Sequence, residues 1–376
     1  MPLTPRPTAN RKEVRFIMKA NEQFPHVGRL AAGPRNAISD IAGVTVGHCT
    51  LNDGPVQTGV TVVHPHAGNP YLDRVPAAAF VLNGFGKSIG LVQLEELGVL
   101  ETPIALTNTF SVASVAQAQI RQCIAANPDC GRGMNTVNPL VFECNDGYLN
   151  DLQQMALAQE HYVQASMGAG VEVAQGSIGA GRGMSSFGCK GGIGTASRMI
   201  PISNAALYMV GTLVLANFGR APQLVLAGHA VGATLDARLQ KAQSDIAQTS
   251  EKGSIIAVIA TDAPLDARQL RRLALRAGAG LARTGSVFGH GSGDIALAFS
   301  TAYTVPQEVS RSMPAIAMLH DAMLDPLFQG AADATEQAIV HALLHARSVT
   351  GYRGHTRKGL TEVLPDWRDL LKTESP

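Results

Sequence analysis

Apolar positions in the first third of the chain recur every second residue. In NAISDIAGVTVGHCT (36–50) and TGVTVVHP (58–65), β-branched residues alternate with glycine and polar residues around an NDGP turn, which predicts two strands closed into a β-hairpin. AAAFVLNGFGKSIG and ETPIALTNTF are short apolar runs ending in Asn/Gly loops, and SVASVAQAQIRQCIAAN (111–127) has helical spacing. NPLVFECNDGYLNDL (138–152) passes from strand to turn, and DLQQMALAQEHYVQAS predicts a helix. Residues 207–217 predict a core strand ending at Asn217, and VLAGHAVG a shorter one. ARLQKAQSDIAQTSEKG is polar and reads as a flexible, protease-accessible loop leading into SIIAVIATDAPL, the longest β-type apolar run of the C-terminal third. An amphipathic helix, DARQLRRLALRAGAGLAR, follows with Leu270, Leu273, Ala274, Ala277 and Leu281 on one face. DIALAFSTAY (294–303) is the last strand and ATEQAIVHALLHARSVT the closing helix.

Strands come in hairpin-like pairs rather than strictly alternating with helices, so the pattern predicts one α/β domain with two sheets over 28–376. No fixed-period repeat, low-complexity tract or interdomain linker interrupts it. Residues 1–27 carry basic residues and prolines without an apolar centre, which predicts a disordered arm rather than a signal peptide, with Met18 as an alternative start. AALYMVGTLVLANF (205–218) is the longest nearly apolar stretch and is too short to span a bilayer, so it belongs to the core.

Composition narrows the partners. With 30 Lys+Arg against 29 Asp+Glu the net charge is +1, which gives no field to draw nucleic acid or anionic lipid and leaves small substrates as the expectation. Five cysteines form an odd set without CxxC spacing, which predicts reduced thiols in a cytoplasmic protein and no zinc ribbon. No cofactor or metal is expected. GKSIG around Ser88 fits a nucleophile elbow poorly, and as a phosphate loop it lacks the first glycine, position 81 being Val81. His64 and His66, and His341 and His345 at helical i, i+4 spacing, lack an accompanying metalloprotease glutamate and read as capping or surface residues. Ten glycines in 168–194 leave two readings open, a backbone-lined site or a bulged strand pair.

One junction carries chemistry. At Gly253-Ser254 a polar loop gives way abruptly to a buried strand. Such a pair is usually a turn, but a serine can also attack the preceding glycine carbonyl, which has no side chain shielding it and tolerates a strained backbone. Hydrolysis of the resulting ester would leave Ser254 as a new N-terminus, its hydroxyl a nucleophile and its α-amine, of pKa about 7.7 to 8.0, a nearby base.

The blocks NAISDIAGVTVGH, ALTNTFSV, ECNDGYLND, GRGMSSFGCKGGIGTASR, TLVLANFG, GSIIAVIATDAPL and GHGSGDIALAFSTA resemble, in the same order over roughly residues 30 to 350, the L-aminopeptidase/D-esterase family, also called β-peptidyl aminopeptidases. The resemblance implies a four-layer α/β/β/α sandwich, similar in layout to N-terminal-nucleophile hydrolases but differently connected. It implies a precursor cut before Ser254 into 1–253 and 254–376, assembled as a tetramer, and a hydrolase of small peptides, amides and esters. Carried over residue by residue, Ser254 is the nucleophile and Asn217 the oxyanion donor, while the Tyr148 hydroxyl points at the same carbonyl or nucleophile. Ser292 and Asp294 orient or protonate the nucleophile's amine and hydroxyl; some relatives carry Glu at the latter position. A partly buried carboxylate best holds a substrate ammonium, and Glu143, with Asp146 behind it, is the candidate.

Two other classes compete. Ornithine acetyltransferases share the fold and the self-cleavage, but their nucleophile is Thr in a Lys-Gly-Ala-Thr-like context, from which Lys252-Gly253-Ser254 departs. A non-catalytic relative is the third reading, and the competent residue types at every catalytic position count against it.

Overall fold

The computed structural model describes residues 24–203, 206–242 and 253–372. The opening hairpin forms as expected: β1 (Thr45–Asp53) pairs antiparallel with β2 (Val56–His64), Asp53 facing Val56 across the turn. β3 (Asp73–Gly84) leaves for a second sheet, while β4 (Ile104–Asn108) and β5 (Leu140–Cys144), parallel to each other, complete a four-stranded sheet in the order β1-β2-β4-β5. The second sheet has seven strands and includes β6 (Gly192–Ser203), β7 (Ala206–Asn217), β8 (Ser254–Thr261) and β9 (Gly293–Ser300). Its order is Val305–Pro306, β3, β9, β8, β7, β6, with Val99–Leu100 also on β3; only β8 and β9 run parallel.

Three apolar layers hold the sheets together. Helices α1 (Val112–Ala126) and α2 (Gln159–Met167) cover the outer face of the small sheet, Val115, Ala116, Tyr162 and Ala165 meeting Val60, Val62 and Val141. Between the sheets, Val46, Val63, Leu106 and Phe142 pack with Leu213, Leu215, Ile256, Val258 and Leu297. The outer face of the large sheet lies under α3 (Gly232–Ala242), α4 (Ala267–Leu275), α5 (Ala277–Arg283) and α6 (Asp325–His345). The result is an α/β/β/α sandwich. Successive side chains of a strand point to opposite faces, so in β8 Ile256, Val258 and Ala260 enter the inter-sheet core while Ile255, Ala257 and Ile259 meet the helices. Burial on both faces is why SIIAVIAT is apolar without alternation.

Several local expectations shift. Residues 24–27 are not part of a disordered arm: the Val27 N–H donates to Gln337 Oε1 at 2.8 Å, its carbonyl accepts from Arg198, and the Phe24 ring lies 4.6 Å from that of His345, tilted by 47°. The rest of that arm, Met18 included, lies outside the described residues, as do positions 243–252 of the polar loop. The loop's first residues, 237–242, are the end of α3 instead. VLAGHAVG makes a two-residue hairpin, Val225–Leu226 with His229–Ala230. The helix expected over 151–166 is a short 3-10 turn (Leu152–Gln154) followed by α2, and the one over 266–283 breaks at Arg276, just before the helix-weakening glycines Gly278 and Gly280. All five apolar residues assigned to its inner face are buried. α6 starts at Asp325, nine residues before the expected segment, with Pro326 in its first turn.

Candidate active site

Three strand ends converge at one edge of the large sheet. Ser254 opens β8, directly opposite Asn217, the last residue of antiparallel β7, and beside Gly293, the first of parallel β9. Residues directly opposite in an antiparallel pair project from the same face. Ser254 shares its parity with Ile256 and Asn217 with Leu215, so both side chains point toward the inter-sheet side. The Ser254 hydroxyl oxygen accepts the Gly293 N–H at 3.1 Å, and the residue is buried.

Glycine at 253 is demanded by space rather than by torsion. Its φ is not positive, so the expected strain is not of the left-handed kind. A Cβ there would lie 2.7 Å from both the Asn217 carbonyl oxygen and the Phe218 Cα, inside any tolerable contact with backbone. Gly293 is similar: its Cβ would fall 2.8 Å from the Phe85 carbonyl oxygen and 3.1 Å from the Ser254 hydroxyl.

The Asn217 carboxamide is gripped at both ends. Its Oδ1 accepts the Ser185 N–H at 2.8 Å, and its Nδ2 donates one hydrogen to the Asn145 carbonyl at 2.9 Å. A carboxamide nitrogen carries two hydrogens, so the second is available to a ligand. On the other side of Ser254, Ser292 donates its hydroxyl to Asp294 Oδ1 at 2.5 Å, and both residues are buried. The Ser292 carbonyl accepts from Asn83 Nδ2 at 2.5 Å, which pins the turn entering β9.

Glu143, near the end of β5, is 3 % exposed. Its Oε1 accepts the Lys87 backbone N–H at 2.8 Å and its Oε2 accepts the Thr109 hydroxyl. A carboxylate offers about four lone-pair positions, which leaves room for an incoming ammonium. Ser254, Glu143, Thr109, Lys87 and Asn145 line one cavity of 620 Å³, whose wall also includes Arg220, Phe85, Val287 and His290.

Two expected residues are placed elsewhere. Asp146 does not line this cavity; it is buried beneath the 181–184 turn, accepts from Asn150 Nδ2 at 3.0 Å, and burial pushes its pKa up to about 7 against the hydrogen bonds it receives. The Tyr148 ring is clamped between His355, stacked at 4.6 Å, and the Arg357 guanidinium at 3.7 Å, just behind Asn145. Ser88 sits between Lys87 and a backbone bridge from Ile89 to Val141, and among the described residues its buried hydroxyl has no hydrogen-bond partner, so no histidine is in place to activate it. The histidines bind protein partners: His64 the Ser166 hydroxyl, His66 the Asp73 carbonyl, His341 the Thr195 carbonyl and His345 the His341 carbonyl. All five cysteines are buried and free.

The residues that sequence reasoning missed are Thr109 and the Lys87 N–H on Glu143, Asn145 and the Ser185 N–H on Asn217, and Gly293 on Ser254. All five lie in segments the sequence singles out, but except for the Thr109 hydroxyl the working group is a backbone N–H or carbonyl, which no residue type marks.

Among the described residues no helix is long and apolar enough to cross a membrane. The model of peptidase family S58 matches residues 36–357. A beta-peptidyl aminopeptidase of Sphingosinicella xenopeptidilytica is 38 % identical over 336 residues, covering 85 % of this chain and 83 % of its own. Among solved structures, a Pyrococcus horikoshii protein matches with a TM-score of 0.86 at 43 % identity, over 94 % of this chain and 98 % of its own. The L-aminopeptidase D-Ala-esterase/amidase of Ochrobactrum anthropi, described as a variant of the Ntn hydrolase fold, matches with a TM-score of 0.82 at 32 % identity, over 94 % and 99 % of the two chains. Match length and identity together leave no ambiguity, and the chain belongs to peptidase family S58.

Proposed function

We propose that this serine aminopeptidase severs its own Gly253–Ser254 bond and then releases N-terminal residues from short peptides, amides and esters through an acyl-enzyme on Ser254. The observation that carries the reading is that a buried serine hydroxyl opens a central strand, opposite a doubly anchored carboxamide, on the same cavity as a buried carboxylate.

In the precursor, the Ser254 hydroxyl adds to the Gly253 carbonyl, the C–N bond breaks, and the proton ends on the freed α-amine. Water then hydrolyses the ester, leaving a Gly253 carboxylate. In turnover, the α-amine takes the hydroxyl proton as Ser254 attacks the substrate carbonyl, then delivers it to the departing amine. The second Nδ2 hydrogen of Asn217 meets the oxyanion. Ser292, its own hydrogen committed to Asp294, presents lone pairs to the Ser254 ammonium. Glu143 binds the substrate ammonium, which is what selects a free N-terminus. The family resemblance gives Tyr148 the part of a further hydroxyl donor in the reaction, its ring held by His355 and Arg357.

Intact mass under denaturing conditions tests the first step: two polypeptides from wild-type protein and one from Ser254→Ala. A single uncut chain from active wild-type protein refutes it. The family match supports the peptidase over the acetyltransferase. A tetramer of cut protomers, as the resemblance implies, is the expected assembly, measured by light scattering.

A further inference from the structure

The glycine-rich turn before β6 buries a charge the reaction does not use. Lys190 is fully buried, and its ammonium donates to the carbonyls of Gly181 at 2.8 Å, Met184 at 2.6 Å and Gly191 at 2.9 Å. Three carbonyl acceptors require three hydrogens, whereas a neutral amine would turn its lone pair on an oxygen; the geometry therefore specifies the ammonium. Burial, and after it the Arg182 charge, work against that ammonium and pull its pKa well down, with the Asp146 carboxylate opposing them.

Asp146 packs on the same turn from the other side, since a Cβ built on Gly183 would lie 2.7 Å from its Cβ. Each member of the pair adjoins one anchor of the Asn217 carboxamide. Lys190 holds Met184, and the next residue, Ser185, gives its N–H to Asn217 Oδ1. Asp146 follows Asn145, whose carbonyl takes the Asn217 Nδ2 hydrogen. A carboxamide rotated by half a turn would present oxygen instead of N–H to a developing oxyanion, so its orientation has to be fixed by something.

We infer that Lys190 and Asp146 are positioning residues: the Lys190 ammonium, clamping the Gly181, Met184 and Gly191 carbonyls, and the Asp146 side chain, packed on Gly183, hold the 181–185 and 145–146 turns together and thereby fix the Asn217 carboxamide with its free N–H toward Ser254. This rests on the reading of Asn217 as oxyanion donor.

A double-mutant cycle tests it. Lys190→Met and Asp146→Asn are made in wild-type and Asn217→Ala backgrounds, and kcat and KM for an aminoacyl p-nitroanilide are measured per cut chain. Lys190→Met is expected to lower kcat by at least tenfold with KM changed less than twofold, and to have less than a twofold further effect once Asn217 is alanine. A purely structural lysine would give the same factor in both backgrounds, and that outcome overturns the inference. Asp146→Asn, nearly isosteric and still able to accept from Asn150, decides the matter by the same criterion if the methionine variant fails to fold, with a smaller expected loss of three- to tenfold. Wild-type kcat in Asn217→Ala would remove the oxyanion reading itself, whereas a crippled Asn217→Ala beside unaffected Lys190 and Asp146 variants would remove only the pair's role.

Discussion

Gly253→Ala is the most direct probe of the cleavage junction, because after the cut the substituted residue is only the C-terminus of the large fragment and the nucleophile Ser254 is unaltered. The added methyl would lie 2.7 Å from the Asn217 carbonyl oxygen and from the Phe218 Cα, where ordinary contact begins at 3.4 Å. Neither is the far end of a flexible side chain, so the 253–254 backbone must retreat by about 0.7 Å. Overpacking of this kind costs about 1–3 kcal/mol, and a displacement near 1 Å at a reacting bond costs up to about a hundredfold in rate. Self-cleavage of Gly253→Ala should therefore be slower than wild type by about tenfold to a hundredfold. The assay is a time course of intact mass on freshly purified chain, followed by kcat of the fraction that has been cut. That fraction should turn over like wild type, since both enzymes then begin at Ser254. Cleavage at the wild-type rate would refute the steric argument; a cut fraction with reduced kcat would show that residue 253 acts beyond the junction.

Asn217→Ala, in protein that has been cut, should lose about 10²–10³ in kcat with KM little changed, the loss typical of one oxyanion donor. Glu143→Gln keeps one acceptor oxygen, for the Lys87 N–H, turns a donating amide toward Thr109 and loses the charge; it should raise KM for free-amine substrates by about tenfold to a hundredfold, in line with a charged hydrogen bond. Tyr148→Phe leaves the His355 and Arg357 stack intact, so an unchanged melting temperature with at least a tenfold lower kcat is expected; unchanged kcat would reduce Tyr148 to packing. Burial lowers the His341 pKa from 6.5 to about 4. The unfolded chain thus binds the proton more tightly, and the stability present above pH 6.5 is lost as pH falls toward 4, about 2 kcal/mol by pH 5. His341→Gln should narrow the gap between melting temperatures at pH 7 and pH 5, and an unchanged gap would contradict the sign.

Period-two alternation locates the hairpin, an unbroken apolar run locates β8, buried on both faces, and the i, i+3, i+4 spacing identifies the buried face of α4 and α5. It failed where tertiary context decides. Residues 24–27 look solvated in isolation but pair with Gln337 and Arg198 more than 170 positions away. Ser254 and Asn217 stand out in the sequence through the family resemblance and Glu143 through the need of a substrate ammonium for a carboxylate; the structure places Ser254 opposite Asn217 and on one cavity with Glu143. Lys87 was read as part of a poor nucleophile motif although its contribution is a backbone N–H, and Asp146 was assigned to substrate by adjacency when the strand end turns it into the interior. Lys190 lies in a glycine-dense run with nothing in the sequence to set it apart; only the fold brings three carbonyls onto it.

The strand order of the large sheet also determines what cutting the chain can release. β8 and β9 belong to the C-terminal fragment, yet they lie between β3 on one side and β7 on the other, both from the N-terminal fragment. Breaking one peptide bond beside Ser254 therefore frees nothing, because parting the fragments means tearing two hydrogen-bonded ladders and opening the apolar layers on both faces. The two polypeptides are in effect one folding unit that acquires a second pair of ends after it is built. Mixed after cutting, two such enzymes should not exchange their small fragments on any timescale shorter than that of global unfolding.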